Sequence, residues 1–218
     1  VEAVALRSSV SVLHVSPADI YIDSEDVEIT KEPGIFTVQV YYRRSGFNIP
    51  LVSKIIQYFR RLRAYSNGFA AILREKGKPQ LIHLNVILPA GPGASMLSRR
   101  HRIPLVANEC WTGYDPLDGR YHGLLQKKIT RRVLKNVAAI MPVTGYLREL
   151  MISHGLNGNF AVVPNVVDTN IFVPKTGKKT RAFRLIHISA LDDAQKNVSG
   201  IIEAFSRALK KRTIPSDS

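Results

Sequence analysis

The stretch QLIHLNVILPAGPGASMLSRRHRIPLVAN (80–108) decides the fold. It opens on a short apolar run, QLIHLN (80–85), crosses a helical segment at 91–101, and closes on a second apolar run, PLVAN (104–108). Near-continuous apolar runs of this length belong to strands buried on both faces. The same order recurs downstream, with a helical segment at 119–136, AAIMPV (138–143), a helix at 145–154 and FAVVP (160–164). Strands separated by helices imply a parallel sheet covered on both sides, with ligands held beyond the carboxyl ends of the strands.

Upstream, SVSVLHV (9–15) reads as a strand, and VEIT (27–30) and IFTVQVYY (35–42) as a pair turned by Pro33-Gly34. Pro50 opens a long helix in which Leu51, Ile55, Phe59, Leu62, Phe69 and Leu73 share one face. Asn67-Gly68 reads as a break or kink in it. PAGPGAS (89–95) is glycine-rich but lacks the phosphate-loop spacing, so it reads as a tight turn onto a helix. Residues 1–173 are thus expected to form a doubly wound α/β domain.

A polar, basic segment at 174–182 then reads as a linker. It is followed by one further strand, FRLIHIS (183–189), and one helix near 198–212. A lone strand–helix pair cannot bury both faces of its strand. VEAVALR, at the other end, reads as the end of a helix without a capped start. The expectation is a piece of a larger protein, without the first strand of domain one and most of domain two. The alternative is a complete small protein with its C-terminal strand and helix docked.

Composition narrows the class of function. With 31 Lys+Arg against 17 Asp+Glu the formal charge is +14, so the surface attracts phosphates, acidic lipid headgroups or nucleic acid. At 45% hydrophobic and 22% charged residues, the chain is a folded domain and not a disordered tail. No apolar run reaches the roughly 18–20 residues of a membrane span, and no secretion-signal pattern is seen. The single cysteine, Cys110, makes neither an internal disulfide nor a cysteine metal site, which fits a reducing, cytoplasmic compartment.

Four stretches carry a family likeness. VVPNVVDTNIFVP (162–174) and HISALDDAQKNVSGIIEAF (187–205) resemble the interdomain segment and the start of the donor domain of glycosyltransferase family 4. GKPQLIHLN (77–85) and RIPLVANECWTGY (102–114) are similar to two strand ends of the same family, in the same order. The resemblance implies a GT-B architecture, two Rossmann-like domains facing across a cleft, the acceptor domain first. It implies a retaining transferase that moves sugar from a nucleotide-sugar donor to a saccharide or lipid-linked acceptor in surface polysaccharide synthesis. No metal and no other cofactor is expected, and the departing phosphate takes part in deprotonating the acceptor. These residues alone are expected to be inactive, because the family's Glu-x7-Glu region is not among them.

The resemblance also assigns residues. Lys196 matches the lysine that grips the donor diphosphate, while Ala190 stands where the family has an arginine. Fixed cations of this kind stabilise the charge that develops on the leaving group. Asn197 either caps the following helix or touches the ligand, and Asp192 and Asp193 are read as turn or capping groups. Asn165 is placed near the cleft and Asp168 is given the task of holding its loop, against a purely local turn. Glu109 is assigned to an acceptor hydroxyl. Cys110 occupies the place of a family histidine, where a small buried thiol lining the cleft fits better than a nucleophile. Trp111 and Tyr114 stack on a sugar or pack a loop; His83 and Asn85, at another strand end, touch substrate unless His83 is a core histidine.

Basic residues gather in three clusters. Lys54, Arg60, Arg61 and Arg63 flank the first long helix, and Lys127, Lys128, Arg131, Arg132 and Lys135 line another; both fit an anionic membrane surface, at the inner face of the cell membrane. Arg99, Arg100, His101 and Arg102 mark a helix end, where cations favour the macrodipole. Nucleic acid is not expected, since neither an aromatic strand platform nor a DNA-binding motif is present. A basic α/β module that binds phosphorylated ligands without catalysis is the competing reading, sustained by Ala190 and Cys110.

Overall fold

The first three strands form one sheet and the next three a second. The computed structural model describes residues 2–18, 25–46, 48–173 and 185–211. A short helix α1 (Glu2–Ala5) precedes β1 (Val10–Pro17), β2 (Asp26–Glu32) and β3 (Ile35–Tyr42). Here β3 is central, parallel to β1 and antiparallel to β2. The β2–β3 turn falls where Pro33-Gly34 places it, with Gly34 at φ +78°. Phe36, Val38, Val40 and Tyr42 alternate into the core from β3.

Helix α2 (Pro50–Lys76) packs its second half on β1 and β3. It runs through Asn67-Gly68 without a break, contrary to expectation. Gly68 is there for closeness: a Cβ would run into Leu13 and lie 2.8 Å from Val40. The buried face is Ala64, Tyr65, Gly68, Phe69, Ala71 and Ile72, so small side chains let the helix approach the sheet. Of the expected apolar stripe, only Phe69 is fully buried. Leu51, Ile55 and Phe59 are exposed, because among the described residues α2 buries only its second half, from Ala64 on.

Strands β4 (Ile82–Asn85), β5 (Leu105–Glu109) and β6 (Ala139–Pro142) form the parallel sheet, in that order. Helices α3 (Gly91–His101), α4 (Leu124–Leu134) and α5 (Gly145–Ser153) connect and cover them. Its core gathers Leu84, Ile87, Leu105, Ala107, Ile140 and Met151. The α/β class and the parallel, helix-covered arrangement are as expected, though the strands fall into two sheets of three. Arg99 and Arg100 lie in the last turn of α3, and Arg102 follows in the left-handed region at φ 52°.

Gly93 sets the distance between α2 and α3. A Cβ there would run into the ring of Tyr65, which is buried and has no room to turn. Gly93→Ala is therefore expected to destabilise the fold by about 2 kcal/mol through overpacking. A cycle with Tyr65→Leu measured by thermal melting checks this, since removing the ring should abolish most of the penalty.

Two expected strands are not formed as full strands among the described residues. FAVVP runs beside β6 over a short stretch, with a bridge from Phe160 to Ile140, Ala161 N–H donating to the Ile140 carbonyl at 2.9 Å and Val163 N–H to the Pro142 carbonyl at 3.0 Å. Residues 161–173 are exposed throughout, and without a covering layer the segment does not continue as a strand. Residues 185–188 are exposed, Ser189 is half-buried and none of them pairs as a strand among the described residues, while the linker 174–182 with 183 and 184 lies outside the described residues. Helices α6 (Asp193–Lys196) and α7 (Val198–Lys210) follow, with Ile201, Ile202, Phe205 and Leu209 of α7 uncovered. Among the described residues no helix is long and apolar enough to cross a membrane.

Candidate active site

The carboxyl ends of β4, β5 and β6 meet along one edge. Asn85 sits opposite Asn108, and Glu109 opposite Pro142. The chain leaves β4 through Val86, whose N–H donates to the Asn108 carbonyl at 2.9 Å. Val86 has φ 62°, a strained conformation for a β-branched residue that is typical of built edges and sites.

Glu109 organises this edge from beneath. Its carboxylate has 0% exposure and accepts four hydrogen bonds. Oε1 accepts from the N–H of Cys110 (3.0 Å) and of Trp111 (2.9 Å). Oε2 accepts from the N–H of Ile87 (3.1 Å) and from the Tyr114 hydroxyl (3.2 Å). One side chain thereby ties the loop after β4 to the loop after β5. Burial pushes the carboxyl pKa up, and the four donors, Trp111 foremost, oppose that rise. With both oxygens occupied and water excluded, Glu109 acts as a positioning residue. It does not face an acceptor hydroxyl.

The loop above it is packed. Tyr114 is almost wholly buried, its phenol pKa driven up by desolvation and then by the Glu109 charge. It stacks with Tyr121 at 4.6 Å, and the Tyr114 carbonyl lies 2.8 Å from the His154 ring. Its place is under the loop, away from any sugar. Trp111 is half-buried, edge-on to Tyr114, with Arg120 over its ring at 5.8 Å. Arg120 pairs with Asp118, which also accepts from Thr112 at 2.8 Å, and the carboxyl of Asp118 is pulled down to about 2, chiefly by Arg120. Cys110 is exposed at the rim; the buried thiol expected at this position is not found, because the backbone of Cys110 turns inward to Glu109 and leaves its side chain outside.

His83 and Asn85 are exposed on β4, so His83 is not a core residue. Enough protein surrounds its imidazole to push the pKa below the ordinary value. Asn165 is exposed. Asp168 forms a local turn, Oδ1 accepting from Asn170 N–H at 2.9 Å and its carbonyl from Phe172 N–H. Among the described residues no group of three His, Cys, Asp or Glu side chains is placed to hold a metal.

Lys196 ends α6 and is exposed. Asn197 does not cap α7: it is in the left-handed region at φ 48° with its side chain folded over Gly200. Asp193 caps instead, accepting from both the N–H and the hydroxyl of Ser199 at 2.7 Å, which lowers its own pKa. Sequence reading missed Asp118, Arg120, Tyr121 and His154. Only Arg120 had a signal, as a cation two residues from an acidic partner; His154 meets Tyr114 from 40 positions away.

The comparisons with known proteins agree on the architecture. Residues 3–166 match the family model described as glycosyl transferase 4-like domain. Among solved structures, sucrose-phosphate synthase from Thermosynechococcus elongatus superposes with a TM-score of 0.52 at 16% identity, covering 79% of this chain and 42% of that one. At that identity the likeness is one of fold, the Rossmann-like half of a GT-B protein. No curated protein matches the sequence. The family match spans well over half of the residues, and the chain belongs to the glycosyl transferase 4-like domain family.

Proposed function

We propose that residues 1–173 are the acceptor domain, and 183–218 the start of the donor domain, of a retaining glycosyltransferase. It moves a sugar from a nucleotide-sugar donor to a saccharide or lipid-linked acceptor, without a metal, in surface polysaccharide synthesis at the cytoplasmic side of the membrane. The observation that carries this is the family match over 3–166, whose strands β4 to β6 end in one edge clamped by Glu109.

Chemistry at that edge divides between surface and support. Asn85, His83, Cys110 and the free edge of Trp111 are open to an acceptor, with Asn165 on the exposed segment that follows. Lys196 supplies a fixed cation for the diphosphate as the bond from its oxygen to the sugar's anomeric carbon lengthens and breaks, while the acceptor oxygen bonds to that carbon. The acceptor proton passes to the departing phosphate on the same face. The anomeric configuration is then kept.

The test is transfer by the full-length gene product, with the product's anomeric centre read by NMR. The expected product has the donor's configuration, formed at an unchanged rate in EDTA. Inversion, or loss of activity in EDTA that a divalent ion restores, would contradict the proposal.

A further inference from the structure

Helices α3 and α4 both finish at the amino ends of β5 and β6, on the edge of the sheet opposite the candidate active site. A cleft of about 490 Å³ opens there, between their last turns and the residues that lead into the two strands. The two helix ends are fastened to each other. The Ser98 hydroxyl donates to the Ile103 carbonyl at 2.7 Å and accepts from the side-chain amide of Asn136 at 3.1 Å. Ala138 N–H donates to the Leu105 carbonyl at 2.7 Å, which ties the approach to β6 onto the start of β5. Ile103 and Val137 are buried and give the cleft an apolar wall.

Three exposed cations line this cleft: Arg99 and Arg102 from the end of α3, and Lys135 from the end of α4. No carboxylate answers them. Neither 76–108 nor 119–148, the stretches that build the cleft, contains an Asp or Glu. Among the described residues, none of the three side chains has an ion-pair partner. Arg102 also sits at φ 52°, with its N–H on the Ser98 carbonyl. That place after a helix normally goes to Gly or Asn, which adopt the left-handed region at little cost. An arginine there holds a strained backbone and brings a guanidinium to the cleft.

Helix dipoles account for part of this charge, since a cation in a last turn interacts favourably with the free carbonyls. They do not account for three cations gathered from two helices around one carboxylate-free hollow. Guanidinium groups match phosphate oxygens in geometry as well as charge. A concave site of this volume fits a small molecule, whereas a bilayer or a duplex presents its phosphates on a surface too broad to enter it.

We propose that this cleft binds a phosphorylated small molecule. Arg99, Arg102 and Lys135 hold the phosphate, and the carbon part lies against Ile103, Pro104 and Val137. The site is separate from the carboxyl edge and does not depend on the transferase reading.

Amide NMR of the 218-residue chain tests it, in titrations with inorganic phosphate and with phenyl phosphate at constant ionic strength. Saturable shifts are expected at 98–103 and 135–138, with phenyl phosphate tighter by about threefold or more because its ring meets the apolar wall. An Arg99→Gln, Lys135→Gln double variant should bind about tenfold or more weakly, having lost two charge-assisted contacts. Arg102→Gly should lose binding to a similar extent while its melting temperature holds or rises, since glycine removes the left-handed strain. Cations that serve only the helix dipoles predict the reverse, lower melting with unchanged binding, and that result would overturn the proposal. So would shifts that do not saturate, shifts confined to the surroundings of Lys196, or phenyl phosphate no tighter than phosphate. Displacement of phenyl phosphate by phosphatidylglycerol vesicles would assign the cleft to a lipid headgroup and overturn it as well.

Discussion

Replacing Glu109 by alanine is expected to destabilise the fold by about 4 kcal/mol or more, lowering the melting temperature by roughly 8–16 °C. Three backbone N–H groups and one phenol lose their acceptor at once, in a place that the native fold keeps dry. A buried donor left unsatisfied costs about 1–3 kcal/mol, and water entering the new space recovers only part of the sum. Glu109→Gln keeps a carbonyl acceptor and avoids a buried charge, so it should lie between alanine and wild type.

The same residue has a pH signature. Its folded pKa is raised, so the native state holds the proton more tightly than the unfolded chain does. The stability this contributes is fully present below the ordinary value of 4.5 and is lost as pH rises through the folded pKa. The wild type should therefore lose stability relative to Glu109→Gln across that window, as read by urea melts at a series of pH values. A gap that widens in favour of the wild type with rising pH would mean that the four donors outweigh burial.

Lys196→Ala should reduce transfer by the full-length gene product by about a hundredfold or more, the usual effect of removing one preorganised charge from a leaving group. The loss should fall on kcat more than on KM, because charge on the diphosphate grows toward the transition state. Lys196→Arg should restore part of it. Melting should not change, since the side chain is exposed at the end of a four-residue helix. Ala190 makes this the sharper test: with no arginine there, Lys196 carries more of the task.

Local pattern made most of the architecture legible. The alternation from 80 to 143 places β4, α3, β5, α4 and β6 within a few residues, because β5 and β6 are largely buried among the helices and β4 buries Leu84 while leaving His83 and Asn85 exposed. Legibility failed where burial is decided by distant partners. The stripe Leu51, Ile55, Phe59 has the spacing of a core face, yet these side chains stay exposed among the described residues. Gly68 looks like a breaker in isolation and is a contact surface in the fold. FAVVP has strand-like composition but pairs with β6 only briefly before its exposed continuation, and 185–189 have no paired neighbour among the described residues.

At the site, position was readable and role was not. Glu109 falls at the end of β5 as its motif indicates, but its inward rotamer follows from the N–H groups of Ile87 and Trp111. Asn197 has the right residue type for a cap and the wrong backbone conformation. Asp193, four residues earlier, reaches Ser199 because α6 and α7 meet at a corner.

A panel of nucleotide sugars offered to the full-length gene product, with release of nucleoside diphosphate as the readout, tests the central claim most directly. One donor in the panel should be consumed in the presence of a saccharide or lipid-linked acceptor, with Lys196→Ala at least a hundredfold slower. If the folded protein neither binds nor turns over any of them, the chain is a basic phosphate-binding module and not part of a sugar transferase.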